Sequence, residues 1–114
     1  MVVELSYVPE PDREQILKCV EKKRAYGALF IENPNRLADY VAWQCKRLWL
    51  TPLWRAWGDK LKDNCNINYK DFMHIASHAY PAEWLLGRMS WRDFLSRLVE
   101  ILNRKCKINF HLQE

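Results

Sequence analysis

The sequence predicts an all-α fold: a single compact bundle of about five helices and one short helix, formed by residues 1–114. Residues that start helices recur along the chain, apolar side chains repeat at helical spacing, and only three glycines and five prolines interrupt 114 residues. Hydrophobic residues make up 49% of the chain and charged residues 28%. This composition excludes an intrinsically disordered chain and suits one domain with one core.

The first two helices have clear boundaries in the sequence. Asp12 is a candidate N-cap for a helix over about residues 12–25, and Gly27 is a stop signal. Asn33 comes before Pro34, whose missing N–H costs nothing at a first helical position. These two residues predict a helix over residues 34–50.

The remaining helices repeat these signals. Thr51 followed by Pro52 predicts the start of a third helix, and Asn68 is the expected cap of a fourth. Pro81 opens a short helix. Ser90, with an acidic residue three positions later, predicts the start of the last helix.

The two ends of the chain alternate between apolar and polar residues, which is typical of strands. Both patterns fit two short strands that could pair with one another, and irregular ends fit as well. The alternating apolar residues are Val3, Leu5 and Tyr7 at one end and Ile108, Phe110 and Leu112 at the other.

Tryptophan is concentrated in the stretch WLTPLWRAWGDKL, where three of the six tryptophans occur. On a helix, Trp54 and Trp57 fall on the same side as the neighbouring leucines, so we expect both in the core. Trp91 shares a face with the apolar residues of the last helix and is also expected in the core. An exposed platform for stacking is the alternative for Trp54 and Trp57.

The helix expected over residues 34–50 has a second aromatic face. Its first face carries four apolar residues: Leu37, Val41, Cys45 and Leu48. Tyr40, Trp43 and Arg47 follow one another at i, i+3 and i+7 on the other side. Either the helix is buried on two sides, with Arg47 reaching solvent, or these three residues bind a protein partner, because such residue types dominate interface hot spots.

Positive charge is concentrated in the later part of the chain. Residues 1–39 hold six Lys and Arg against seven Asp and Glu, and residues 40–114 hold twelve against seven. A basic surplus favours an acidic partner such as DNA or RNA, although solubility and helix dipoles explain it as well. The candidate nucleic-acid-binding residues are Arg55, Lys62, Lys70, Arg104, Lys105 and Lys107.

The four cysteines lie 26, 20 and 41 residues apart, without a CxxC pair. No secretory signal precedes them and no apolar run is long enough to span a membrane. We therefore expect reduced, mostly buried thiols in a cytoplasmic protein without membrane association.

His74 and His78 share one face of the helix expected over residues 69–79, so they could chelate a metal ion. A closed zinc site needs further ligands, and Asp71, Cys65 and His111 are the available candidates, none at a diagnostic spacing. A solvated polar face is the simpler interpretation, so we expect no metal and no cofactor.

Catalytic and DNA-reading motifs are weak in this sequence. It contains no GxSxG, HExxH, GxGxxG or phosphate-loop pattern. A helix-turn-helix around Pro81 would have a recognition helix with few groups that can contact base edges. We therefore do not expect an enzyme.

The functional hypothesis is a non-enzymatic interaction or adaptor protein that binds a protein partner through Tyr40, Trp43 and Arg47. The partner would belong to a nucleic-acid-handling complex, in which this chain is a small subunit or regulator. Two alternatives are direct, sequence-independent DNA or RNA binding through the C-terminal basic residues, and a metal or enzymatic site at His74 and His78. The oligomeric state does not follow from the sequence.

Overall fold

The computed structural model describes residues 2–27 and 42–113, with side chains for 2–23 and 42–113. Helices dominate this part of the chain, and two short strands near the two ends of the sequence form a parallel sheet. The predicted helical fold with a terminal strand pair is confirmed. In chain order the elements are β1 (Val2–Leu5), α1 (Arg13–Gly27), a 3-10 helix (Lys46–Leu48), α2 (Leu50–Cys65), α3 (Tyr69–Ser77), α4 (Pro81–Leu85), α5 (Trp91–Cys106) and β2 (Asn109–Leu112).

Three helices begin at polar caps that the sequence predicts. Oδ1 of Asp12 and Oδ1 of Asn68 accept backbone N–H bonds of 3.3 and 2.8 Å, and Ser90 Oγ accepts one of 3.1 Å. Each bond satisfies an amide group that a helix leaves unpaired at its start. The short helix α4 begins at Pro81, which has no N–H to satisfy.

The two strands pair in parallel, with Val2 opposite Asn109 and Leu5 opposite Leu112. Parallel strands need a long crossover connection, and here the helices supply it. Asn103 on α5 fixes β2 from the other side. Its Oδ1 accepts a bond of 2.6 Å from Phe110 N, and its Nδ2 donates one of 3.0 Å to Phe110 O.

The core lies where α2, α3 and α5 pack against one another and against the sheet. Trp57 is fully buried and Trp91 is 3% exposed, as predicted. Trp54 is only half-buried, and its ring packs on Tyr69 and Phe72 at centroid distances of 5.7 and 5.5 Å. The predicted core face of α5 is confirmed, because these residues are buried: Phe94, Leu95, Leu98, Val99 and Leu102.

Three buried tryptophans also hold the extended segment that follows β1. Nε1 of Trp57 donates to Ser6 O at 2.7 Å, and Nε1 of Trp91 donates to Val8 O at 2.7 Å. Nε1 of Trp84 donates to Glu10 Oε1 at 3.0 Å. A buried indole needs an acceptor for its single N–H, and this segment provides one acceptor for each of the three tryptophans.

The single helix predicted over residues 34–50 is wrong in its described part. Residues 42–44 are helical, Cys45 lies in a turn, and the 3-10 helix follows. Leu48 was expected on the buried face, but its side chain is 37% exposed. Cys45 is buried as expected, at 3% exposure. Leu37 and Val41 lie outside the described residues.

The next helix also begins differently from the prediction. Residue Trp49, fully buried, occupies the N-cap position of α2 and makes no side-chain cap bond. Thr51 is therefore not the cap, and Pro52 lies within the first turn, where a missing N–H is still tolerated. Burial of the Trp49 ring, rather than a polar cap, fixes the start of this helix.

The prediction of reduced cysteines is wrong, because all four are paired. Cys19 on α1 is bonded to Cys45, and Cys65 at the end of α2 is bonded to Cys106 at the end of α5. The partners are 26 and 41 residues apart in sequence, so only the fold brings them together. Spacing along the chain does not reveal such pairs.

Candidate functional site

A surface patch of apolar and basic side chains lies just before α2. We call it the Trp43 patch, and its residues are Trp43, Lys46, Arg47 and Leu48. Trp43 and Lys46 are half-buried, whereas Arg47 and Leu48 are exposed. Leu48 is exposed and Trp43 is partly exposed, so both leave apolar area in contact with water, and the four residues have the composition of a binding surface.

Buried residues alternate with the Trp43 patch along the same segment and anchor it. Ala42 and Trp49 are fully buried, and Trp49 Nε1 donates a 2.8 Å hydrogen bond to Ala42 O across the intervening residues. Between them, Cys45 is tied to Cys19 on α1 by the disulfide. The segment is therefore anchored at its beginning, middle and end, which limits the conformations open to the patch.

The Trp43 patch carries positive charge. Lys46 Nζ lies 6.0 Å from the centroid of the Trp43 ring and 3.4 Å from Met73 Sδ on α3. Within the described parts of the chain, no carboxylate lies within ion-pair distance of Lys46 or Arg47. Among these residues neither positive charge is neutralised by an ion pair, which favours an acidic partner.

The three residues predicted to bind a partner do not form one helical stripe in the structure. Trp43 belongs to the helical residues before Cys45, Arg47 belongs to the 3-10 helix after it, and Tyr40 lies outside the described residues. Sequence reasoning missed Leu48, because a continuous helix would place it on the buried face. It also missed Lys46, although its spacing of three residues from Trp43 was a signal, because residues three apart on a helix are neighbours.

The six candidate nucleic-acid-binding residues are all exposed, and two of them share a cleft. The cleft has a volume of about 500 Å³, and Lys70 on α3 and Lys105 on α5 line it with Asn66, Asp71 and His74. Arg55, Arg104 and Lys107 do not line it. The remaining residue, Lys62, also lies outside the cleft wall, and its Nζ is 5.3 Å from the centroid of the Trp54 ring.

The Cys65–Cys106 disulfide explains why two distant lysines share this cleft. Cys65 is itself part of the cleft wall, and Lys105 immediately precedes Cys106. The disulfide joins the ends of α2 and α5, and α3 begins four residues after Cys65. Lys70 and Lys105 have no carboxylate within ion-pair distance among the described residues.

His74 on α3 and His78, the C-cap residue of this helix, face one another on the surface, as the spacing predicts. Their Nε2 atoms are 3.2 Å apart and both side chains are exposed. The suggested further ligands do not join them: Cys65 is in a disulfide, and His111 lies 3.4 Å from Glu4. In residues 2–27 and 42–113 no group of three or more His, Cys, Asp or Glu side chains could hold a metal ion.

Comparison with protein families, with curated proteins and with solved structures finds no match to this chain. In the described part of the chain, every helix is too short or too polar to cross a membrane.

Proposed function

We propose that this protein is a non-enzymatic interaction protein, and that the Trp43 patch binds an acidic segment of another protein. The observation that carries the proposal is the position of Cys45, buried and disulfide-bonded, between the partly exposed Trp43 and the exposed Arg47. Trp and Arg are the residue types most enriched at interface hot spots.

Rigidity of the segment supports this role. Ordering a flexible surface on binding costs free energy, and an anchored one avoids most of that cost. The half-buried Trp43 offers a fixed apolar surface, and Lys46 and Arg47 beside it favour an acidic partner by attraction and by faster association.

Two expectations from the sequence concern the setting of the interaction. A place in a nucleic-acid-handling complex was expected from the basic charge, and it stays a prediction. The cytoplasmic location rested on reduced cysteines, whereas two disulfides are typical of proteins in oxidising compartments. We therefore favour an oxidising compartment as the place where the partner is met.

A matched pair of arginine variants tests the proposal. Arg47 and Arg55 are both exposed, but only Arg47 belongs to the Trp43 patch. Partners captured from the native host are identified by mass spectrometry, and their affinities for Arg47→Ala, Arg55→Ala and Trp43→Ala are measured. We expect Trp43→Ala to weaken binding roughly thirtyfold, the effect of a hot spot of about 2 kcal/mol. Arg47→Ala should weaken it less, and Arg55→Ala should leave it unchanged.

Thermal melting controls for unfolding in this experiment. Arg47 is exposed, so its variant should melt like the original protein, while Trp43→Ala should lose some stability because its ring packs partly on the core. Capture that is equally strong for all three variants would contradict the proposal.

Sequence-independent DNA or RNA binding is the second candidate function, and the cleft shared by Lys70 and Lys105 favours it. If phosphates bind there, affinity should fall steeply between about 50 and 200 mM salt. Replacing both lysines by glutamine should lower the slope of log affinity against log salt by about 2, roughly 1 for each phosphate contact. The same change at Lys22 and Lys23, exposed on α1, is the matched control and should alter the slope less. No retention of nucleic acid at low salt would exclude this candidate.

A further inference from the structure

His74 on α3 and His78 at its C-cap form a pair whose geometry the interaction role does not use. Their rings are 4.7 Å apart between centroids and inclined at 80°, and Nε2 of one lies 3.2 Å from Nε2 of the other. Two nitrogen atoms at this distance can share one hydrogen, and the tautomer of each ring decides which of them donates it. The backbone at this end of α3 is held by Ser77 Oγ, which donates a 2.6 Å bond to His74 O.

The separation of these two nitrogen atoms matches that of two ligands on one metal ion. Imidazole nitrogen binds Zn²⁺ at about 2.0 to 2.1 Å, so two such ligands lie about 3.3 Å apart at a tetrahedral angle and about 2.9 Å apart at a right angle. The observed 3.2 Å falls within this range. The positions of the two Nε2 atoms are therefore compatible with one metal ion held by both of them.

We propose that His74 and His78 chelate one divalent late-transition-metal ion through their Nε2 atoms. Imidazole suits Zn²⁺, Cu²⁺ and Ni²⁺, whereas Ca²⁺ and Mg²⁺ prefer oxygen ligands. Both side chains are exposed, so water fills the remaining coordination positions, and no third protein ligand from the described residues takes part. Cu²⁺ binds more tightly than Zn²⁺ because it stands higher in the general affinity order of divalent metals.

The charges around the pair indicate which kind of interaction would hold the metal ion. His74 lines the same cleft as Lys70 and Lys105, whose ammonium groups repel any cation, and as Asp71, whose carboxylate attracts it. Two positive charges against one negative charge disfavour an ion held by electrostatic attraction alone. Binding must therefore come from coordination by the two imidazoles.

Titration of the purified protein with Zn²⁺ tests the proposal, with calorimetry as the readout. We expect one Zn²⁺ ion per chain. His74→Ala and His78→Ala should each weaken binding at least about tenfold, which is the lower end of the loss when even an outer partner of a metal ligand is removed. His111→Ala is the matched control, because His111 is also exposed but faces Glu4, and it should bind Zn²⁺ as the original protein does.

Two further measurements locate the ion and identify its chemistry. Zn²⁺ should shift the imidazole NMR signals of His74 and His78 and leave those of His111 in place, while melting curves confirm that the exposed-site variants remain folded. Mg²⁺ should not compete with Zn²⁺. The proposal is overturned if Zn²⁺ binds the double variant of His74 and His78 as tightly as the original protein, or if Mg²⁺ displaces it.

Discussion

At the scale of single residues, the tryptophans combine apolar packing with a specific hydrogen bond. Trp84 and Trp91 lie in one aromatic cluster, with centroids 4.6 Å apart, and both are almost fully buried. They differ in the partner of the indole N–H. Trp91 donates to the backbone oxygen of Val8, a buried bond, whereas Trp84 donates to the carboxylate of Glu10, an exposed residue.

Because of this difference, we expect the same substitution at Trp84 and at Trp91 to lower the free energy of unfolding by unequal amounts. Trp→Phe removes a similar volume at both positions, but only at Trp91 does it leave a buried carbonyl without its donor. An unsatisfied buried polar group costs about 1 to 3 kcal/mol, whereas water can replace the lost partner of Glu10. We therefore expect Trp91→Phe to lower the free energy of unfolding by at least about 1 kcal/mol more than Trp84→Phe. Denaturant unfolding measures both, and equal losses would contradict this account.

At the scale of secondary structure, local signals in the sequence predicted most helix starts. The caps at Asp12, Asn68 and Ser90 depend on hydrogen bonds within a few residues, so they can be read from neighbouring letters of the sequence. The strand pair was also predicted from alternation, because each strand has buried residues on one face: Val3 and Leu5 in β1 and Phe110 in β2.

The segment before α2 could not be predicted in the same way. Asn33 and Pro34 indicate a helix start, and the apolar spacing up to Leu48 fits a continuous helix. Contacts distant in sequence decide instead where the chain turns. The ring of Trp49 packs on Phe94 at a centroid distance of 5.9 Å, and Cys45 is bonded to Cys19. Tertiary packing thus overrides local helix propensity here.

Only part of the candidate site could be predicted, again because tertiary contacts decide where some of its residues lie. Trp43 and Arg47 were identified by residue type, which needs no structure. Leu48 could be added only when the turn at Cys45 was known, because the turn brings it to the surface. Lys46 was added because its Nζ lies 6.0 Å from the centroid of the Trp43 ring. The shared cleft of Lys70 and Lys105 likewise depends on a disulfide between positions 41 residues apart.

At the scale of the whole molecule, three long-range links join the elements. The parallel strands connect the two ends of the sequence, and the two disulfides connect α1 to the Trp43 patch segment and α2 to α5. A domain of this size has a net stability of only about 5 to 15 kcal/mol. Since a disulfide typically contributes about 2 to 4 kcal/mol, the two disulfides account for a large share of this net stability.

Removing each disulfide separately should affect stability and binding in different ways. Replacing both cysteines of either pair by serine should lower the free energy of unfolding by about 2 to 4 kcal/mol, since the loops they close differ little in their entropy. The Cys19 and Cys45 variant should also weaken capture of the partner protein, because it frees the anchored segment. The Cys65 and Cys106 variant should leave that capture unchanged and open the cleft beside Lys105. Thermal melts, partner affinity and thiol titration before reduction measure these effects, and free thiols in the original protein would contradict the pairing itself.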